Sequence, residues 1–206
     1  RLLANPSTTV AALIGTGGQA ACQLQAMLEV LSLEMIYVFS RNPANAESFC
    51  REQIELAGEC RLVPASSRKF LSDCGLITTA TGSRSPVFTD DEIRTGVHIN
   101  GIGSFRPDMA EVPAETVCRA TVVVDHREAA LCEAGDIVGP MTRGRLPADY
   151  APAELGEVLL SKRPGRTSPE ETTFFKSVGN AAQDIVCARE ILAIAERDSL
   201  GLVVDV

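Results

Sequence analysis

Apolar residues along the chain fall into short runs of strand length, separated by longer stretches in which apolar positions recur every three to four residues. The runs Val10–Ile14, Met35–Ser40, Arg61–Pro64, Gly75–Thr79, Val97–Ile102 and Thr121–Val124 predict β-strands. Between them, Gln19–Leu31 and Ala44–Leu56 predict amphipathic helices, the second opening after Asn42-Pro43, where proline suits a first helical turn. Val112–Ala120 and Arg127–Ala134 carry weaker helical signals. The Gly/Pro/Arg-rich texture from Gly139 to Arg166 reads as loop with a short helix at Ala153–Leu160, and a long helix is expected from about Val178 to Arg197. Strands alternating with helices are the pattern of βαβ units, so the expected class is α/β, a Rossmann-type doubly wound sheet built on these predicted strands.

The segment VAALI-GTGGQA places Gly15, Gly17 and Ala20 in the pattern G-x-G-x-x-[GA], after a predicted strand and at the opening of a helix. The first glycine permits a tight turn, the second lets the backbone approach a pyrophosphate, and the small third residue allows close helix–strand packing. Backbone N–H groups from Thr16, Gly18 and Gln19 onward can then hold phosphates, helped by the helix dipole. A glycine turn that merely joins strand to helix is the alternative, but strand, helix and second strand follow at the expected distances. That second strand ends in Ser40-Arg41-Asn42, where an NAD-preferring domain usually places an acid for the ribose hydroxyls. A guanidinium there can pair with a 2′-phosphate and stack on adenine, while Ser40 and Asn42 add hydrogen bonds, so NADP(H) is favoured over NAD(H). A solvated arginine at a strand end is the plainer alternative. Further on, Thr79, Ala80, Thr81 and Ser83 follow a strand at the edge where ligands of open α/β sheets lie, and could meet a nicotinamide ribose.

The 206 residues are 45% hydrophobic and 22% charged, as in an ordinary globular protein, and the net charge of −8 offers no basic footprint for nucleic acid or an anionic membrane. No apolar run reaches the ~18 residues of a membrane span and no secretory signal opens the chain, so a cytoplasmic setting is expected. The seven cysteines, odd in number and never in a C-x-x-C pair, read as reduced and mostly buried thiols. With two histidines, a histidine-rich metal centre is not expected; His98 reads as a structural histidine in an apolar strand, and His126 has no evident partner. The chain opens at Arg1 and reaches its first strand within ten residues, which reads as a fragment.

Several further segments carry a resemblance: Thr79-Ala80-Thr81-Gly82-Ser83, His98-Ile99-Asn100-Gly101-Ile102-Gly103, Glu133-Ala134-Gly135-Asp136, Glu154-Leu155-Gly156-Glu157-Val158 and Lys176-Ser177-Val178-Gly179 with Gln183-Asp184. With GTGGQA, and in the same order, they resemble the ornithine cyclodeaminase/mu-crystallin family. The resemblance implies a Rossmann domain, here residues 1–176, joined to a substrate and dimer-forming domain to which residues 177–206 contribute a returning helix. It implies a homodimer when the N-terminal substrate segment is present; the family's arginine for the substrate carboxylate and its lysine near the reacting centre belong to that segment and have no match here. It also places Ile102, Gly103, Ser104, Phe105 and Met109 near the nicotinamide, and Ser177, Val178 and Gly179, at a helix opening, near the carboxamide or ribose.

Cyclodeaminases continue HIN-x-IG with Gly-Asp, the aspartate serving in acid/base chemistry, whereas this sequence reads Ser104-Phe105-Arg106-Pro107-Asp108 and aligns Phe105 with that acid. Phenylalanine transfers no proton. The Arg-Pro-Asp continuation is closer to mu-crystallin and the ketimine or Δ1-pyrroline-2-carboxylate reductases, which tend to use NADP(H). The expected activity is therefore NADP(H)-dependent reduction of small cyclic imines derived from amino acids, with the catalytic residues unassigned. A cyclodeaminase or alanine dehydrogenase using NAD, with Asp108 as the acid, is one alternative; a protein that binds NADPH or a small molecule without turnover, as in mu-crystallin, is the other.

Overall fold

The structure, a computed structural model, describes residues 2–202 and 204. Eight strands form one sheet in which every pairing is parallel: β1 Val10–Ile14, β2 Met35–Phe39, β3 Arg61–Pro64, β4 Leu76–Thr79, β5 His98–Gly101, β6 Thr121–Val124, β7 Ala153–Glu154 and β8 Thr173–Lys176. The strand order is β3-β2-β1-β4-β5-β8-β6-β7. The chain winds outward from β1 in one direction through β2 and β3, then returns to β4 on the other side. This reversal opens a crevice at the carboxyl ends of β1 and β4, the general ligand position of such sheets.

The helices are α1 Ala20–Val30, α2 Pro43–Glu52, α3 Ile54–Ala57, α4 Ala114–Arg119, α5 Arg127–Glu133, α6 Gly135–Thr142, α7 Leu155–Leu159 and α8 Ala181–Arg197. Because β1 is covered on both faces, it is apolar at consecutive positions. Ala11 and Leu13 pack with Leu24 and Met27 of α1, Ala46 and Phe49 of α2, and Ile36 and Val38 of β2. Ala12 and Ile14 face the opposite layer, with Ile77, Ile99, Phe174, Val117 of α4, Ala130 of α5 and Ile137 of α6.

Several boundaries differ from the sequence-based expectation. The sheet has two more strands than predicted, and β8 lies between β5 and β6. The stretch read as loop from Gly139 contains the end of α6, and β7 begins the stretch read as a short helix. The helix predicted over residues 44–56 breaks at Gln53, which turns Ala57 inward to 6% exposure. β2 ends at Phe39, leaving Ser40 beyond the strand. Gly179 has φ +95°, a left-handed conformation that stops helix from running back through it. Hence α8 starts at Ala181, capped by Asn180, and Ser177, Val178 and Gly179 precede the helix rather than open it. The cysteines are all free, but only Cys50, Cys60 and Cys74 are buried, so the expectation of mostly buried thiols is corrected.

Candidate functional site

A cleft of about 910 Å³ opens at the carboxyl ends of the central strands and continues down to Leu76 and His98, at the amino ends of β4 and β5, and to Leu31 after α1. Gly17, Gly18 and Gln19 line it from the turn between β1 and α1, Ala80, Thr81 and Gly82 from the loop after β4, Ile102, Gly103 and Phe105 from the loop after β5, and Ser177, Val178 and Gly179 from the segment after β8. Gly15 holds φ +112°, and a Cβ on it would overlap the Ala80 carbonyl oxygen, so only glycine lets the turn pack on the loop after β4. The amides of Gly17, Gly18 and Gln19 find no backbone acceptor among the described residues, and α1 has no acidic residue in its first turn. Such a helix opening could hold an anion.

Beneath the cleft lies a buried charged network. Glu111, 0% exposed, accepts N–H bonds from Thr81 at 2.6 Å, Gly103 at 2.6 Å and Ser104 at 3.1 Å. Asp136 Oδ1 accepts from the amides of Glu111 at 2.7 Å and Val112 at 3.0 Å. Its Oδ2 has no hydrogen-bond partner among the described residues and faces the Lys176 ammonium at 3.8 Å, which donates to the Gly101 carbonyl at 2.9 Å. Burial pushes the Glu111 carboxyl up and the Lys176 ammonium down from their ordinary pKa values, while the Thr81 hydrogen bond and the Lys176–Asp136 attraction act in the opposite directions. Asp125, at the end of β6, accepts from the Ser177 hydroxyl and the amides of Val178 and Gly179 at 2.8, 3.0 and 2.9 Å. Buried or half-buried carboxylates thus hold the loops after β4, β5 and β8.

The other residues singled out in the sequence occupy varied places. Thr16 Oγ1 donates to Ser40 Oγ at 3.2 Å, linking the glycine turn to the end of β2. Arg41 is exposed and forms no ion pair with another described residue. Asn42 Oδ1 caps α2 through the Ala44 amide at 3.2 Å, which leaves its N–H groups for other contacts. Ala20, Thr79, Ser104 and Met109 are buried and do not line the cleft. Thr79 bonds the Asn100 carbonyl, Ser104 bonds the Met109 carbonyl, and the Ser83 hydroxyl donates to Ser85 O at 2.6 Å. Phe105 is 52% exposed at the cleft rim. Asp108 is bound by Arg106 at 2.8 Å and lies 3.5 Å from Arg84; the Arg106 hydrogen bond holds its carboxyl below the usual range. His126 caps α5, its Nδ1 accepting from the Ala129 amide. Among the described residues no cluster of His, Cys, Asp or Glu could hold a metal ion, and no helix is long and apolar enough to cross a membrane.

Sequence reasoning assigned no role to Glu111, Asp125, Asn100 or Lys176. Asn100 lines the cleft beside His98, whose ring is 3.0 Å from the Asn100 amide and 2.8 Å from Thr173 Oγ1. The Thr173 hydroxyl also donates to the Leu3 carbonyl at 2.8 Å. The available signal for Glu111 is an acid enclosed by Met109, Ala110, Val112 and Pro113, which no solvated face explains.

The model of the ornithine cyclodeaminase/mu-crystallin family matches residues 1–198. A Δ1-pyrroline-2-carboxylate reductase from Bacillus cereus is 36% identical over 200 residues, covering 97% of this chain and 61% of its own. The ketimine reductase mu-crystallin of Mus musculus is 33% identical over 189 residues, 92% of this chain and 56% of its own. The Δ1-pyrroline-2-carboxylate reductase of Thermococcus litoralis, solved with NADH and L-proline, superposes with a TM-score of 0.91 at 36% identity, covering 98% of this chain and 63% of its own. An archaeal alanine dehydrogenase dimer with bound NAD gives a TM-score of 0.90 at 29% identity, covering 99% of this chain and 62% of its own. This chain therefore spans about three-fifths of the length of the relatives it matches. With motifs, sheet order and a family match that runs almost end to end, the chain belongs to the ornithine cyclodeaminase/mu-crystallin family.

Proposed function

We propose that the protein is an NADP(H)-dependent reductase of cyclic ketimines derived from amino acids, of the Δ1-pyrroline-2-carboxylate kind. Residues 1–176 are read as its dinucleotide-binding domain and residues 177–206 as part of a substrate and dimerisation domain. The observation that carries this reading is the chemistry at residues 105–108. An apolar ring stands at the cleft rim, and the neighbouring acid, Asp108, is bound to Arg106 and exposed to solvent. A site without a free acid there suits reduction of a preformed C=N bond better than deamination. The relatives named as pyrroline-carboxylate and ketimine reductases support the same substrate class.

In this reading the amides of Gly17, Gly18 and Gln19 hold the pyrophosphate, and Ser40, Arg41 and Asn42 meet the adenosine ribose with its 2′-phosphate. The loops at Thr81, Gly103 and Ser177–Gly179 wall the nicotinamide half. Bound there, the nicotinamide supplies the hydride that reduces the imine carbon. The chain's own part is orientation of the two reactants.

A second reading, an NAD-dependent cyclodeaminase or alanine dehydrogenase, draws on the alanine dehydrogenase solved with NAD. Assays of the full-length protein with Δ1-pyrroline-2-carboxylate should consume NADPH faster than NADH and yield proline. Ammonia and proline formed from ornithine would favour the second reading, and NADPH bound without turnover across imines and amino acids would leave only a binding function.

A further inference from the structure

We propose that Glu111 is a positioning residue for the nicotinamide half of the cofactor. It acts by clamping the two strand-end loops that wall that half of the cleft; this rests on the dinucleotide reading above. Its carboxylate does not touch the cleft and is 0% exposed. One oxygen accepts from Thr81 in the loop after β4, at 2.6 Å; the other accepts from Gly103 and Ser104 in the loop after β5, at 2.6 and 3.1 Å. A single side chain therefore bridges the two loops just beyond the last backbone bonds of the sheet, Ala80 to Ile14 and Ile102 to Thr79.

The clamp is itself held from behind. The Glu111 amide donates to Asp136 Oδ1 and its carbonyl accepts from Val87 at 2.9 Å, so its backbone cannot drift. Gly103 fits only because it lacks a Cβ: one placed there would overlap Thr81 O and stand 2.7 Å from Glu111 Oε1. The phosphate turn joins the same stack through the Gly15–Ala80 contact. Lys176, bound to the Gly101 carbonyl, anchors the strand end from which the second loop departs. Three backbone donors and one nearby ammonium offset the charge of a carboxylate that burial would otherwise disfavour.

Glutamine in place of Glu111 keeps the shape but offers one oxygen, so its NH₂ must face an N–H of one loop or the other. The adenosine end of the ligand lies over β1 and β2, away from the clamp. In the full-length protein, Glu111→Gln should therefore weaken NADPH binding roughly tenfold or more. Adenosine 2′,5′-bisphosphate should bind within about twofold of its original affinity. A role confined to fold stability would move both ligands alike or neither. Equal effects, including no effect on either, would overturn the proposal while leaving the cofactor reading intact; failure of both ligands to bind the unaltered protein would remove the cofactor reading and, with it, the positioning role. Should the variant not fold, hydrogen exchange on the unaltered protein still decides. Thr81, Gly103 and Ser104 amides protected before any cofactor is added would support the clamp, and amides exchanging as freely as open-loop positions would overturn it.

Discussion

Ser40 and Arg41 leave β2 side by side but in different states, the serine hydroxyl joined to Thr16 and the guanidinium in solvent. An arginine with no ion-pair partner among the described residues is available to a 2′-phosphate. Losing a charge-assisted contact of this kind costs about 1.5–3 kcal/mol, so Arg41→Ala should weaken NADPH roughly ten- to hundredfold and NADH much less. Arg41→Asp should reverse the preference further by repelling the phosphate and accepting from free ribose hydroxyls. Titration by nicotinamide fluorescence measures both, and equal losses for the two cofactors would mean that Arg41 does not read the phosphate. His98 gives a prediction of another kind. Burial holds its imidazole neutral, pushed down to about 4. The unfolded chain takes up the proton near pH 6.5 and the folded one only near pH 4, so the His98 contribution is lost as pH falls through that window. The stability advantage of the native protein over His98→Gln should shrink by about 3 kcal/mol from pH 7 to pH 4 in urea unfolding. A pH-independent difference would contradict the buried neutral state.

At the scale of elements, β1 and its turn to α1 were legible because backbone geometry demands glycine at Gly15 and apolar residues on both faces of β1. β8 was not legible. It is four residues long, follows a Pro/Gly/Arg-rich stretch, and ends in Lys176, which as a sequence symbol signals solvent yet is 0% exposed here. α6 was hidden by Gly135, Gly139 and Pro140, poor helix formers that tertiary packing overrides. The carboxylates beneath the cleft escaped for the reason Lys176 did: charged residues in loops look solvated until their partners, 30 residues away for Thr81 and Glu111, are known. β8 is nonetheless central to the core, with Phe174 at 0% exposure between β5 and β6. Phe174→Ala should cost about 3–5 kcal/mol, read as a lower denaturant midpoint at constant slope. A loss under about 1 kcal/mol would show that β8 is not packed as described.

For the molecule as a whole, α8 is the feature the Rossmann half does not explain. None of its residues is buried, and Ile185, Ile191 and Leu192 are 71%, 67% and 59% exposed. A 17-residue helix gains little from propensity alone and normally draws its stability from a covered apolar face. Under the proposed domain organisation that face is buried in a dimer. Replacing Ile185 and Leu192 together by glutamate in the full-length protein should then shift sedimentation from dimer to monomer, and an unchanged mass would argue against it. The central claim, that the cleft serves imine reduction, is tested most directly by the fate of the transferred hydrogen. The full-length protein supplied with Δ1-pyrroline-2-carboxylate and NADPH carrying deuterium at both C4 positions should yield proline with deuterium at C2. Turnover that leaves that carbon unlabelled, or proline formed only from ornithine with release of ammonia, would contradict the account.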